Sequence, residues 1–407
     1  MKNKNFIIVV IGQIISLFGN AIQRFSMSLY ILDLTGSAAV FSTILAISTI
    51  PYILFAPIAG FLADTVNRKK IMVYLDFFSA ALMAAYSIIL FSGRDNQIIV
   101  TIVMFLLSVI YTLYSPSVTA CIPQIVEEEK LPSANAVIQQ VGSIVNLVGP
   151  IIAGLLYSFV GIKVILIINA ISFFLSAILE LFLDIPDLPV KEKFVNPISK
   201  SIKEMKKSFI YLKEKKKIVL GVIVSYALTN IFVVPILSVV SPYFIKVKMS
   251  FSSTAYGFTE AIFVLGMIIG GLIIAFKPKL FKMKKIHKTM YPMLLAIIVM
   301  AISTYLKLEN KFVILGLYAL GGLGIMLSLS LSNLISLTFI QKEVKKDMLG
   351  KVSAFSTAVA TASVVPGQLI YGQLIELNFT IYMILLLSFI LSIFVFIFIK
   401  WNVRELK

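Results

Sequence analysis

An all-α membrane protein of twelve transmembrane helices, in two pseudo-symmetric bundles of six, is the fold class the sequence predicts. Three observations lead there: a surplus of apolar residues, the recurrence of charge-free stretches, and the one-sided placement of basic residues. Of 407 residues, 59% are hydrophobic and only 14% are charged. Soluble domains sit nearer half apolar and a quarter charged, so the surplus must face lipid. The mean hydropathy of +1.00 agrees. Ile98 to Ala120 and Ile381 to Ile399 carry no charge at all. At ~1.5 Å per residue, such stretches cross a hydrocarbon layer about 30 Å thick.

Apolar runs broken by polar clusters predict spans at 6–32, 40–63, 70–92, 97–121, 134–159, 163–184, 218–245, 252–276, 288–306, 312–340, 349–375 and 379–399. With the N-terminus inside, 29 of the 36 Lys and Arg fall in cytoplasmic segments. Arg94, Lys163, Lys246, Lys248, Lys307 and Lys311 lie in outer loops, and Arg24 lies within span one. Basic residues kept on one face orient a membrane chain, which makes both termini cytoplasmic in a multi-pass cell (inner, cytoplasmic) membrane protein. The net charge of +17 follows from that topology and calls for no nucleic-acid partner. The first residues resemble a signal peptide. They lack a small-residue cleavage site and the apolar run continues to Leu32, so they read as a retained first span.

The longest polar stretch, Ile185 to Lys217, carries ten lysines and separates two sets of six spans. The expected organisation is an N-terminal bundle at 1–184, a basic cytoplasmic linker at 185–217 and a C-terminal bundle at 218–407. Ser199 to Lys217 reads either as an amphipathic helix on the inner leaflet or as a linker whose lysines enforce topology. An offset of 216 residues relates the halves weakly: Pro150 then matches Pro366, and Arg68–Lys69 match Lys284–Lys285. The single cysteine, Cys121, allows no internal disulfide. Enzyme chemistry finds no foothold, with no nucleotide-binding Walker sequence, one histidine and no cluster with metal-ligand spacing. No cofactor or metal is expected.

Three motifs sharpen the reading. After span two the chain runs Gly60-Phe-Leu-Ala-Asp64-Thr-Val-Asn-Arg68-Lys69-Lys70. Gly60 permits close helix approach, Asp64 can face the positive end of another helix, and Arg68 can pair with an acid. Asp76, about two turns into span three, is the expected partner of Arg68 or of a neighbouring loop. Span five holds Gly149-Pro150-Ile-Ile-Ala-Gly154, where proline bends a helix and glycine makes room for a neighbour. Pro116 to Pro123, Glu127 and Leu131 to Ala136 form a third run, joined by Leu32 to Ser37 and by Tyr256 to Glu260 with Gly266, Gly270 and Gly271.

Together these resemble the major facilitator superfamily, in its macrolide-efflux and siderophore-exporter branch of drug:proton antiporters. The loop after span two is similar to the superfamily signature, with Asn67 where a glycine is usual; asparagine also visits left-handed backbone geometry. The resemblance implies two six-helix halves around a midplane site, with Asp64 facing span eleven. It also places Asn20, Gln23, Asn146, Asn230 and Asn333 on spans that line the cavity, near Tyr30, Tyr226, Phe232, Phe258 and Met326. That set suits amphipathic cargo, although each amide can equally bond a neighbouring helix. Arg24 and Glu260 are intramembrane charges and so functional candidates by default. They sit at matching depths, ~7 and ~6 Å above the midplane, and are expected either to couple protonation to transport or to form a static pair. Asp33 and Glu180, at span ends, read as solvated.

The function implied is secondary active export of amphipathic small molecules by a monomer, driven by a proton gradient. Import, lipid translocation on the same fold and a non-transporting sensor stay open. Cysteines placed at Thr65 and Lys284 are expected to react with a membrane-impermeant thiol reagent from the same face. Labelling from opposite faces would overturn the twelve-span topology.

Overall fold

Backbone groups that cross hydrocarbon find partners only within their own helix or in a closed barrel. The computed structural model describes residues 4–185, 197–277, 281–306 and 309–406, and among them helices form throughout, without a strand. The first half comprises α1 (Lys4–Thr35), α2 (Ala38–Leu54), α3 (Ala56–Thr65), α4 (Arg68–Phe91), α5 (Gln97–Ile125), α6 (Leu131–Phe159) and α7 (Gly161–Leu181). The basic helix α8 (Pro197–Lys215) follows, then α9 (Lys217–Phe232), α10 (Ser241–Tyr243), α11 (Ser253–Phe276), α12 (Tyr291–Tyr305), α13 (Lys311–Glu343), α14 (Lys346–Glu376) and α15 (Ile381–Asn402). Among the described residues eleven helical segments are long and apolar enough to cross a membrane, or twelve with the bent pair α2–α3 taken as one span.

The sequence places that twelfth span at 40–63 as one helix; the structure bends it by 43°. Pro51 within α2 and Pro57 at the start of α3 explain the break, since each lacks an amide donor and crowds the preceding turn. Prolines also reshape the span expected at 218–245. Pro235 and Pro242 flank widened π-helical turns at Ile236–Val240 and Phe244–Lys248. There the Ser241 hydroxyl donates to the Ile236 carbonyl at 2.7 Å. Side chains suited to capping start several spans. Asn96 accepts from the Ile98 and Ile99 amides, Asn310 from Phe312 and Thr380 from Met383. Gly161, at φ +72°, lets α6 reverse into α7 almost without a loop.

The chain packs as two units. One holds Met1–Thr35, Ile47–Ser201 and Ser252–Gly257, the other Gly36–Ala46, Ile202–Phe251 and Phe258–Lys407. The division differs from a cut at 184 and 217. The first turns of α2 pack in the second unit on α14, where Ser37 Oγ donates to Glu376 Oε2 at 2.8 Å. The first turns of α11 pack in the first unit on α6, where the Thr254 amide donates to Ser158 Oγ at 3.1 Å.

Within the first unit α4 lies along α7, and α1 packs on α6 and α7. Phe6, Val9, Met72, Val118, Cys121, Ile122, Leu183 and Ile185 form its core near the start of α1. In the second unit α12 lies along α13, and α9 along α14. Outward faces are apolar: Phe159 is 82% exposed and Phe276 79% exposed, as lipid contact requires.

Helix α8 belongs to the second unit from Ile202 onward, so it is docked as well as basic. Leu212 is fully buried with Val219, Ile340, Val352 and Phe355. Glu204 Oε2 lies 2.8 Å from Lys351 Nζ, and Lys207 follows one turn later. The Lys351 ammonium holds the Glu204 carboxyl below its ordinary value. A depressed folded value means this tie is present above the ordinary carboxylate range and fades as pH falls through it. Leu212→Ala is expected to weaken docking by about 2–5 kcal/mol, read as loss of amide-exchange protection across α8. Glu204→Gln is expected to cost far less, and its effect should vanish in acid.

Candidate functional site

Among the described residues, a polar-lined cavity in the second unit and a buried carboxyl cluster in the first stand out from the apolar interior. In the second unit, residues of α9, α11, α12, α13, α14 and α15 line a cavity of about 540 Å³. Met267, Met290, Met293 and Met326 form much of its wall, and Tyr226, Thr229, Asn230, Ser330 and Asn333 supply polar groups. Some of these groups also tie the walls together. Tyr226 OH donates to the Ser332 carbonyl at 3.1 Å, and Asn230 Nδ2 donates to the Ala360 carbonyl at 2.8 Å. Asn333 is exposed on α13 and contributes to the lining. Unbranched, polarizable methionines adapt to irregular apolar shapes, while a few fixed polar groups orient a ligand. The volume suits a small organic molecule, for which pockets run roughly 300–1,000 Å³.

In the first unit, α1, α4, α5 and α7 bring together a buried polar cluster. Ser16 Oγ donates to Asp76 Oδ2 at 3.1 Å and lies 2.9 Å from Ser176 Oγ. Tyr114 OH donates to Glu180 Oε1 at 2.6 Å, and Gln13 Nε2 donates to Tyr114 OH at 3.4 Å. Asp76 is 2% exposed and Glu180 is fully buried, and among the described residues Glu180 Oε2 has no hydrogen-bond partner. Earlier on α7, Asn169 is also buried, and among the described residues neither of its amide atoms is bonded.

Two expectations are corrected here. Glu180 is not solvated, although it lies one residue from the end of α7. The chain leaving α7 folds back over it: Leu183 and Ile185 bury against Phe6 and Val9, and Asn5 bonds both the amide and the carbonyl of Asp184. Asp76 does not pair with Arg68. It faces α1 instead, while Arg68 Nε donates to the Ala63 carbonyl at 2.9 Å and so caps the end of α3.

The rest of the loop motif is also placed differently. Asn67 is not left-handed; at φ −56° and ψ 119° it accepts from the Lys70 amide and caps α4. Among the described residues nothing lies within 4 Å of the position a Cβ on Gly60 would take, so Gly60 serves no close packing. Asp64 is exposed and Lys69 is partly buried.

The bend motif is a packing device. A Cβ on Gly149 would lie 3.1 Å from the Ala21 methyl, and one on Gly154 would lie 2.5 Å from the Ser253 carbonyl oxygen. Gly257 faces Gly154 across the crossing, against the Pro150 carbonyl. In the second unit Pro366 precedes Gly367, where a Cβ would meet the Ile231 carbonyl at 2.6 Å. Of the cavity candidates, Asn230 and Asn333 share the cavity just described. Asn20 donates to its own helix at the Ser16 carbonyl, Gln23 is buried in α1, and Asn146 is exposed on α6. Arg24 is exposed on α1 and Glu260 partly buried on α11; they belong to different units.

The family model described as Major Facilitator Superfamily matches residues 9–367. The chain belongs to that superfamily. Among curated superfamily relatives, Macrolide efflux protein A of Streptococcus pyogenes is 27% identical over 348 residues, 86% of this chain and 84% of that protein. Macrolide efflux protein A of Enterococcus faecalis is 27% identical over 324 residues, 80% of this chain and 97% of that protein. A crystal structure of a variant of the nucleoside transporter NupG shares the fold at a TM-score of 0.77 and 14% identity, covering 98% of this chain and all of that one. A bacterial homologue of the iron transporter ferroportin, in its inward-facing state, matches at a TM-score of 0.70 and 17% identity, covering 99% of both chains. The protein is a multi-pass membrane transporter of the superfamily and not an enzyme.

Gly257→Ala is expected to lower the melting temperature in detergent, by about 1–3 kcal/mol of overpacking, because backbone rather than a flexible side chain occupies the space. Gly60→Ala, in open surroundings within a helix, should be neutral or stabilising by up to ~1 kcal/mol. Equal melting of the two variants would remove the α6–α11 crossing as a close contact.

Proposed function

We propose that this transporter is a secondary active exporter of amphipathic small molecules of the macrolide kind, working by alternating access and proton antiport. The methionine-lined cavity of the second unit carries the reading. Methionines make its wall deformable, its polar lining groups are neutral hydroxyls and amides, and none is a cationic or anionic clamp such as a sugar phosphate or a nucleotide would need. Similarity to two macrolide efflux proteins supports the same cargo class. The excess of Lys and Arg in one set of loops supports cytoplasmic termini in a cell membrane.

In this reading cargo enters from the cytoplasm or the inner leaflet, and Asp64, exposed at the end of α3, serves gating. Arg24 and Glu260 act as intramembrane charges that respond to cargo. The protein works as a monomer.

Expression in an efflux-deficient host is expected to raise resistance to several macrolides and lipophilic cations. Asp64→Asn should abolish that resistance at equal expression, and Asn333→Leu should narrow its range. Susceptibility equal to that of an empty vector across the panel would sink export.

A further inference from the structure

We propose that Asp76 and Glu180, inside the first unit, hold a shared proton and are the pair that exchanges a proton for cargo. The second clause rests on the export reading above; the first stands on geometry alone.

Charge comes first. Both carboxyls are withdrawn from the surroundings, and among the described residues neither has a cationic partner. The donors that reach them are neutral, the Ser16 hydroxyl on Asp76 and the Tyr114 hydroxyl on Glu180. α1 presents Gln13 and Ser16, α7 presents Ser176, and α5 presents Tyr114 and the buried Cys121. α4 presents Asp76 and, at its start, Arg68. Arg68 itself is engaged by the Ala63 carbonyl. Two ionised carboxylates in such a place would lack a counter-ion, and carboxyl pairs of this kind titrate together around a shared proton. The bare Glu180 Oε2 is where a proton lowers the cost most, because an unbonded carboxyl oxygen is far easier to bury neutral than charged.

The two carboxyls are linked. Ser16 bridges Asp76 to Ser176, and Ser176 stands one helical turn before Glu180 on α7. Gly12 marks their common face: a Cβ there would lie 3.6 Å from both Ser176 Oγ and Glu180 Oε1. Hydroxyls both donate and accept, so Ser16 and Ser176 can carry a proton from Asp76 to the stretch of α7 that bears Glu180.

The surroundings also give the pair a direction. Toward the start of α1 it is sealed by Phe6, Met72, Ile122, Leu183 and Ile185. Along α1 and α7 the other way, polar atoms continue. A Cβ on Gly19 would lie 3.6 Å from Asn169 Oδ1, and among the described residues neither amide atom of Asn169 nor the buried Gln23 Oε1 has a hydrogen-bond partner. A buried amide left without partners in a helix core calls for a reason, and a proton route supplies one.

The step is a proton transfer in which only O–H bonds form and break. With one proton the pair carries a single negative charge; with two it is neutral. The second proton arrives from the compartment that receives cargo and leaves to the one that supplies it.

Infrared titration of the purified full-length protein in lipid nanodiscs tests the site without any cargo. A protonated-carboxyl C=O band at neutral pH is expected in wild type, lost or halved in Asp76→Asn and in Glu180→Gln, and unchanged in Glu260→Gln. No such band in wild type, or a band that follows Glu260, overturns the assignment. The conservative variants Asp76→Glu and Glu180→Asp keep the carboxyls; each should retain the band at a shifted titration midpoint, and this holds the test open if a neutral variant misfolds. Proteoliposomes given erythromycin, with a pH dye inside, test the exchange. Wild type should move protons against the macrolide, whereas Glu180→Gln should still equilibrate it with at least tenfold less proton movement. Full coupling in both neutral variants overturns the exchange. If wild type moves no macrolide, export fails as a reading and the infrared result alone decides the shared proton.

Discussion

Hydrocarbon offers a polar group no partner, and most of this structure follows from that. Each backbone donor and acceptor in a span is matched inside its helix, and the places where proline removes a donor are the places where the helix bends or widens. The α2–α3 break and the π-helical turns around Pro235 and Pro242 are local answers to the same shortage. Side chains obey it too: Ser241 returns a hydrogen bond to a main-chain carbonyl, and Arg68 caps the carbonyls at the end of α3.

Against that rule, the polar groups kept inside the two units divide by chemistry. The second unit holds neutral amides and hydroxyls around a methionine wall, which suits recognition of a molecule that is mostly apolar. The first unit holds carboxyls with neutral donors, which suits a proton. The two kinds of site lie in different units. The expectation that Arg24 and Glu260 carry the proton arose from their depth in the spans. Glu180, at a span end, reads from sequence as solvated, and Asp76 as a partner of Arg68 or of a neighbouring loop.

Burial at a helix end is a tertiary matter. Glu180 is enclosed because 183–185 turns back over α1, tied by Asn5 and capped by Leu183 and Ile185. Hydropathy along the chain registers only that a span is ending. Asp76 likewise looks toward the nearby Arg68 in sequence, yet the face of α4 on which it lies meets α1. A helix one residue longer or shorter would rotate that face by ~100°.

Composition and spacing alone determined the membrane class and the approximate limits of the spans, because lipid imposes length and hydropathy on each span separately. The motifs, through their resemblance to the superfamily, implied the family and the cargo class and pointed to Tyr226, Asn230, Asn333 and Met326, which share one cavity. Only the tertiary structure decided which spans bend, that α8 is docked, that Asn67 caps rather than turns, and that Met267, Met290 and Met293 join that cavity. The carboxyl cluster belongs with these. It unites residues 60 to 160 positions apart, and no period along a single helix encodes which faces of four helices will meet.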